Sequence, residues 1–239
     1  MNIISVVSNK KLKIYIAIAI GLIILYLNNK QEKTLKVIST QVTNKTIIID
    51  AGHGLPDEGA VGFKSLTEEK INLQIAIKLQ KLLESSGSVV RLTRSDENGI
   101  YNTDAKTIRN KKVSDIKNRV NLINNMNNQI LVSIHLNKFS DSKYRGWQVF
   151  YKENNVESEL LANKIQQSIN KNINISNKRT TKPIRNIYII DKSKIPSVIV
   201  ECGFISNKEE ATLLQKEDYQ DKLVWGIYIG IQEYFKENK

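Results

Sequence analysis

Thr46-Ile47-Ile48-Ile49-Asp50-Ala51-Gly52-His53-Gly54 is an apolar run that ends on a histidine set between two glycines. A second run, Ile130-Leu131-Val132-Ser133-Ile134-His135-Leu136-Asn137, closes on the only other histidine of the chain. A third, Val198-Ile199-Val200, delivers Glu201 ahead of Cys202-Gly203-Phe204. Short β-branched runs bounded by turn residues read as buried strands. Open α/β sheets bind ligands in the crevice outside the carboxyl ends of their strands. Two imidazoles and a carboxylate delivered there suit a metal hydrolase.

Helical periods alternate with these strands. Ile71, Ile75, Leu79, Leu82 and Leu83 have helical spacing after Thr67, Gly87 stops that helix, and Val89–Leu92 reads as a strand. Residues 95–112 are polar and read as an irregular insertion at the rim of a cleft, followed by a helix over 114–127. Trp147–Tyr151 alternates like a strand, and Val156–Ile173 is helical. A basic loop at 178–182 leads to a short expected strand, Ile187-Tyr188-Ile189-Ile190. Ser206 or Asn207 can cap a helix with Glu209 and Glu210 in its first turn, and an amphipathic helix runs over 218–235. The pattern predicts an α/β fold: a single domain over 45–239 with a mostly parallel twisted sheet of about six strands and helices on both faces.

Composition narrows the function. A net charge of +12 comes from lysines spread along the chain, with no zinc finger, RNA-binding signature or basic tail, so no nucleic-acid partner is expected. The charge reads as a solvated surface, or as attraction to an anionic membrane or wall. The single cysteine excludes an intramolecular disulfide. Lys10, Lys11 and Lys13 precede an apolar run over 14–27, about 21 Å as a helix and shorter than a hydrocarbon core of about 30 Å. Residues 1–27 thus read as a signal peptide or signal anchor, with 28–44 as a polar spacer. The flanking lysines keep that end inside, so the remainder is expected to be exported, held at the membrane through this segment if it stays uncleaved.

His53 and His135 exhaust the imidazoles, so the third ligand of a catalytic zinc must be a carboxylate. The Asp57-Glu58 loop and the Glu68-Glu69 helix start can supply it, and a helix start is the stiffer platform. Glu201, placed by an apolar strand, is expected to be a partly buried acid that needs a partner. Cys202 lies on the opposite face by strand alternation and reads as a core thiol rather than a nucleophile. Gly52-His53-Gly54 lacks the lysine of a phosphate-binding loop.

These segments together resemble the zinc-dependent N-acetylmuramoyl-L-alanine amidases of the amidase-3 type. The likeness rests on Ile49–Gly54, Asp57–Gly62, Glu68 ahead of Ile71-Asn72-Leu73, Leu92-Thr93-Arg94, Arg119, Ser133–Asn137 and Val200–Asn207, and spans about residues 45–236. It implies that His53, Glu68 and His135 bind one Zn2+, with Glu69 as the alternative to Glu68, and that Glu201 is the catalytic acid. The implied reaction is hydrolysis of the amide joining N-acetylmuramic acid to L-alanine of the peptidoglycan stem peptide.

Ser133–Asn137, the loop after His53 and the absence of wall-binding repeats are most similar to the sporulation (CwlD-type) amidases. Those act on spore cortex during muramic-δ-lactam formation, which would place this chain in the forespore intermembrane space. An accessory protein aiding metal loading or activation is a candidate partner. Competing readings are a cell-separation amidase, a zinc exopeptidase and a non-catalytic wall-binding regulator. Retention of Glu201 disfavours the last, since a binder needs no proton shuttle.

Overall fold

The computed structural model describes residues 12–23, 41–125, 127 and 129–238. The chain divides into two compact units, Met1–Thr40 and Gln41–Lys239. In the first, residues 12–23 form a helix, α1, whose Ile14, Ile16, Ile18, Ile20, Leu22 and Ile23 are exposed. Among the described residues no helix is long and apolar enough to cross a membrane. Residues 24–40, which hold the end of the expected apolar segment and most of the spacer, lie outside the described residues.

In the second unit the order is β1 (Thr46–Ala51), α2 (Glu68–Ser85), β2 (Val89–Leu92), α3 (Ile108–Asn124), β3 (Ile130–Asn137), β4 (Gln148–Lys152), α4 (Val156–Asn172), β5 (Lys182–Ile184), α5 (Tyr188–Lys192), β6 (Ser197–Phe204), α6 (Lys208–Leu214) and α7 (Glu217–Glu237). Six strands form one sheet in the order β2-β1-β3-β6-β4-β5. The pairs β1–β2, β1–β3 and β3–β6 are parallel, while β4 runs antiparallel to β6 and parallel to β5.

Strand alternation divides the core between the two faces. Ile47, Ile49, Ile130, Val132, Ile134, Val198, Val200 and Cys202 join the larger cluster with apolar residues of α2, α4, α6 and α7. Ile48, Leu131 and Ile199 point the other way, onto Val120 and Ile123 of α3 and Ile189 and Ile190 of α5. The buried Cys202 belongs to the larger core, on the face expected for a packing thiol. Helices α4 and α7 pack backbone to backbone, since a Cβ on Gly230 would stand 2.4 Å from Ile165 Cα and one on Gly226 2.8 Å from Ile169 Cα.

Two expectations are corrected. Ile187–Ile190 is not a strand: Tyr188–Lys192 forms α5, and the strand of this region is β5, Lys182–Ile184. One helical turn buries Ile189 and Ile190 together in the smaller core, which a strand, with its alternation, could not do. Helix α3 begins at Ile108, six residues before the expected 114, because the Thr107 side chain accepts from Asn110 N at 3.2 Å and caps it there. At α6 the expected alternatives separate: Asn207 is the cap, accepting from Glu209 N and Glu210 N, while Ser206 Oγ accepts from Phe139 N.

Candidate metal centre and active site

β1, β3 and β6 bring their carboxyl ends to one edge, and α2 begins beside them. His135 of β3 sits opposite Glu201 of β6 in the strand register, with an irregularity in the pairing between His135 and Asn137. His53 follows β1 in the left-handed region, at φ 62°, which is uncommon for a residue with a Cβ.

Carbonyl partners hold that turn. Ala51 O accepts from Arg94 Nε at 2.9 Å and Arg119 Nη1 at 2.7 Å. Gly52 O accepts from Arg94 Nη2 at 3.1 Å and Asn72 Nδ2 at 3.2 Å, and His53 O accepts from Arg119 Nη2. Two buried guanidiniums thus grip three successive carbonyls. Arg119 is itself held by Asp50, 2.8 Å away, and by Asp115, 2.7 Å away. Asp50 also accepts from Thr93 Oγ1 at 2.7 Å and Ser133 Oγ at 2.6 Å. Burial alone would raise the Asp50 carboxyl, but the charge of Arg119 overrides it and holds the group at about 2.

The Glu68 carboxylate lies between the two imidazoles. Its Oε2 is 3.2 Å from His53 Nε2 and its Oε1 3.0 Å from His135 Nδ1. Ala60 N donates to Oε2 at 2.9 Å and Leu136 N to Oε1 at 3.0 Å, so backbone donors on both sides fix its orientation. The Glu69 carboxylate turns elsewhere, accepting from Thr67 Oγ1 at 3.1 Å. Glycine makes the cluster sterically possible: a Cβ on Gly52 would fall 2.4 Å from the His135 ring, and one on Gly59 2.7 Å from Glu68 Oε2. Donor atoms of His53, Glu68 and His135 all lie within 4.8 Å of one another.

The electrostatics suit a cation. Burial pulls the His53 imidazolium down, yet its hydrogen bonds to Asp57 and Glu68 raise it to about 9. Burial would raise Glu68, but its hydrogen bonds to His135 and His53 hold it well below the ordinary carboxylate range. Asp57, 3.0 Å from His53 Nδ1, is in turn held by Lys112 Nζ at 2.7 Å. A carboxylate behind a metal-ligating imidazole is the usual way its ring is oriented. This donor set suits a divalent metal ion.

Glu201 stands at the same edge with a different character. Burial, with a further push from the charge of Glu68, raises its carboxyl to about 7. Its Oε2 is buried and takes no hydrogen bond among the described residues. A carboxyl balanced between its two protonation states at neutral pH can both accept and return a proton.

Arg179 of the basic loop and Arg185, just beyond β5, are engaged within the fold. Arg179 donates to Arg145 O and Gln148 Oε1, and Arg185 pairs with Glu153 at 2.6 Å. Sequence reasoning gave no role to Asn72, Arg94, Lys112 or Arg119. Lys112 carries no readable signal, whereas Asn72, Arg94 and Arg119 stood among the matching positions.

Comparison with known proteins agrees with this geometry. Residues 47–233 match the family model described as N-acetylmuramoyl-L-alanine amidase. The chain is 37% identical over 232 residues to the germination-specific N-acetylmuramoyl-L-alanine amidase of Bacillus subtilis (strain 168), covering 95% of this chain and 97% of that one. It is 30% identical over 206 residues to the amidase LytC of the same organism, covering 85% of this chain but 38% of that one. Its fold matches the CwlD amidase from Clostridioides difficile, solved in complex with the GerS lipoprotein, with a TM-score of 0.79 and 47% identity over 81% of this chain and 100% of that one. Sheet, site geometry and relatives lead to one conclusion: the chain belongs to the N-acetylmuramoyl-L-alanine amidase family.

Proposed function

We propose that this protein is a zinc-dependent peptidoglycan amidase that cuts the bond between the lactyl group of N-acetylmuramic acid and L-alanine of the stem peptide, in spore cortex. The observation that carries the reading is the Glu201 carboxyl, whose buried Oε2 takes no hydrogen bond among the described residues, beside a His–Glu–His cluster at one sheet edge. A metal-binding protein without turnover has no use for a buried acid that titrates near neutrality.

In this mechanism His53, Glu68 and His135 hold the ion, a His2Glu set found in catalytic zinc sites. Zinc, when bound, supplies a Lewis acid that polarises the scissile carbonyl and lowers the pKa of water from about 15.7 to about 7. Asp57 orients His53, while Ala60 N and Leu136 N orient Glu68. Glu201 takes the proton of the attacking water and passes it to the leaving amine of L-alanine. The two arginines keep the His53 turn in register with β3, so the imidazole pair does not need to be assembled at each turnover.

The cortex role is supported by likeness to the germination-specific relative. The lipoprotein bound to the Clostridioides difficile relative supports an accessory partner for this chain too. Lys10, Lys11 and Lys13 ahead of the apolar run support export to the outer face of the cytoplasmic membrane.

The reaction is tested by mass spectrometry of cortex muropeptides before and after treatment with the zinc-loaded protein. Free stem peptides with an L-alanine amino terminus, and muramic acid left bare, are expected. Shortened stem peptides still attached to muramic acid would instead identify a peptidase.

The ligand assignment has its own test. Glu68→Ala is expected to lose bound zinc, measured by elemental analysis of the purified protein, whereas Glu69→Ala keeps one ion per chain. Removing an orienting group behind a ligand costs about 10–100-fold in metal affinity, and removing the ligand itself costs at least that. The reverse pattern would move the role to Glu69.

A further inference from the structure

The carboxyl edge carries a second cluster, built of aromatic rings. Phe139 follows His135 by four positions and Phe204 follows Glu201 by three, so both extend from the strand ends that hold the candidate chemistry. Phe139 is 44% exposed and Tyr144 40% exposed. Their rings meet edge to face, with centroids 5.0 Å apart. Phe139 rests on the buried Phe204 at 5.1 Å, and the Arg179 guanidinium covers that ring at 4.5 Å. Arg179 reaches Gln148, which pairs with Glu201 in the β4–β6 register. The aromatic lip is therefore continuous with the catalytic edge, and chain length keeps Phe139 within about 14 Å of His135.

Scattered exposed apolar residues need no explanation, but a contiguous, rigidly held aromatic pair is different. The loop beneath it is pinned by Asn207 Nδ2 donating to Ser142 O at 2.7 Å, by Gly146 N donating to Glu210 Oε1 at 2.8 Å, and by Phe139 N donating to Ser206 Oγ at 3.2 Å. Rings held in place before a ligand arrives lose little freedom on binding. Nearby cations are already engaged, Lys143 with Asp141 at 2.7 Å and Lys138 with Val61 O at 2.9 Å. Lys143 Nζ also stands over the Tyr144 ring, 5.5 Å from its centroid, so the lip combines ring surface with cations already engaged in the fold. A pyranose suits it, because its C–H face meets the electron-rich face of an aromatic ring.

We propose that Phe139 and Tyr144 form a saccharide platform that holds a sugar ring of the glycan strand beside the muramyl residue being cut. The proposal rests on the amidase reading above and names which part of that substrate this lip grips. It makes polymeric glycan, rather than an isolated muramyl peptide, the preferred substrate.

The test is calorimetric titration of the full-length protein with glycan strands stripped of peptide, and separately with free stem tetrapeptide. Tyr144→Leu and Phe139→Leu are expected to weaken glycan binding about tenfold, while Tyr144→Phe stays within about twofold of the parent. On polymeric peptidoglycan the leucine variants should raise KM by a similar factor with kcat unchanged. On a muramyl peptide with a single sugar they should change neither. Should Phe139→Leu melt below the parent, Tyr144→Leu at the exposed tip carries the test alone. Unchanged glycan affinity in the leucine variants would overturn the proposal, as would a loss confined to the tetrapeptide. Stripped glycan lacks the lactyl–alanine amide, so its binding is read independently of turnover: glycan binding with no turnover of peptide-bearing peptidoglycan would count against the amidase reading and leave the platform standing.

Discussion

Glu201→Gln is expected to lower turnover by about 10²–10⁴-fold, the usual worth of a general acid–base, while bound zinc remains at one ion per chain. The same change should stabilise the metal-free protein above neutral pH. In the unfolded chain a glutamate ionises near its ordinary 4.5, whereas burial raises Glu201 in the fold to about 7. Its contribution to stability is complete below 4.5 and is lost as pH rises through 7, where the fold must carry a charged carboxylate whose Oε2 is buried without a hydrogen bond among the described residues. That penalty is about 3 kcal/mol by linkage, which corresponds to a melting temperature higher by about 5–10 °C in Glu201→Gln at pH 8, and to little difference at pH 4. Calorimetry of both chains without metal, with activity assayed after zinc loading, measures the two effects independently. Loss of zinc in Glu201→Gln would make Glu201 a ligand and exchange its role with Glu68.

Arg119→Met is expected to cost about 3–5 kcal/mol, the range for breaking a buried ion pair from one side. The substitution leaves Asp50, only 2% exposed, without its counter-charge, and removes donors from the carbonyls of Ala51 and His53. Urea unfolding should show the loss, and zinc affinity should fall with it because the His53 turn loses half of its grip. Asp50→Asn combined with Arg119→Met should recover part of the stability, since the fully buried Asp50 charge is then gone and only the more exposed Asp115 is left without its partner. The pH dependence has a definite sign. Asp50 is held at about 2 against an ordinary 3.8, so its share of stability is present above 3.8 and is lost as pH falls through 2. The gap between parent and Arg119→Met should therefore narrow in acid. A gap that stays constant to pH 2 would mean that Arg119 acts by packing alone.

Both predictions depend on features that differ in how far the amino-acid order reveals them. Strands β1, β3 and β6 are legible because their apolar runs are long enough to be buried on both faces, and a run of that kind has few other uses. Once they are aligned in parallel, the positions of His53, His135 and Glu201 at one edge follow from the chain direction. The α2 start near Thr67 is legible from the helical period that follows it, which brings two glutamates to the same edge.

Ile187–Ile190 is the opposite case. Four β-branched or aromatic residues fit a strand or a single helical turn equally well, and the smaller core on the α3 side selects the turn. The start of α3 was hidden because its first turns are polar and carry no acid, leaving the Thr107 cap as the only local mark.

The amino-acid order by itself determined the sheet, the side of it that carries chemistry and the types of residue available there, because period and chain direction are local properties. Tertiary structure alone decided which of two adjacent glutamates faces the imidazoles, since that depends on the rotation of α2 against the sheet. It also decided that Arg94 and Arg119, distant in the chain, close on the carbonyls of residues 51–53. Burial of Glu201 Oε2 without a hydrogen bond among the described residues is decided there too, because desolvation is a property of everything packed around a group and not of its neighbours in sequence.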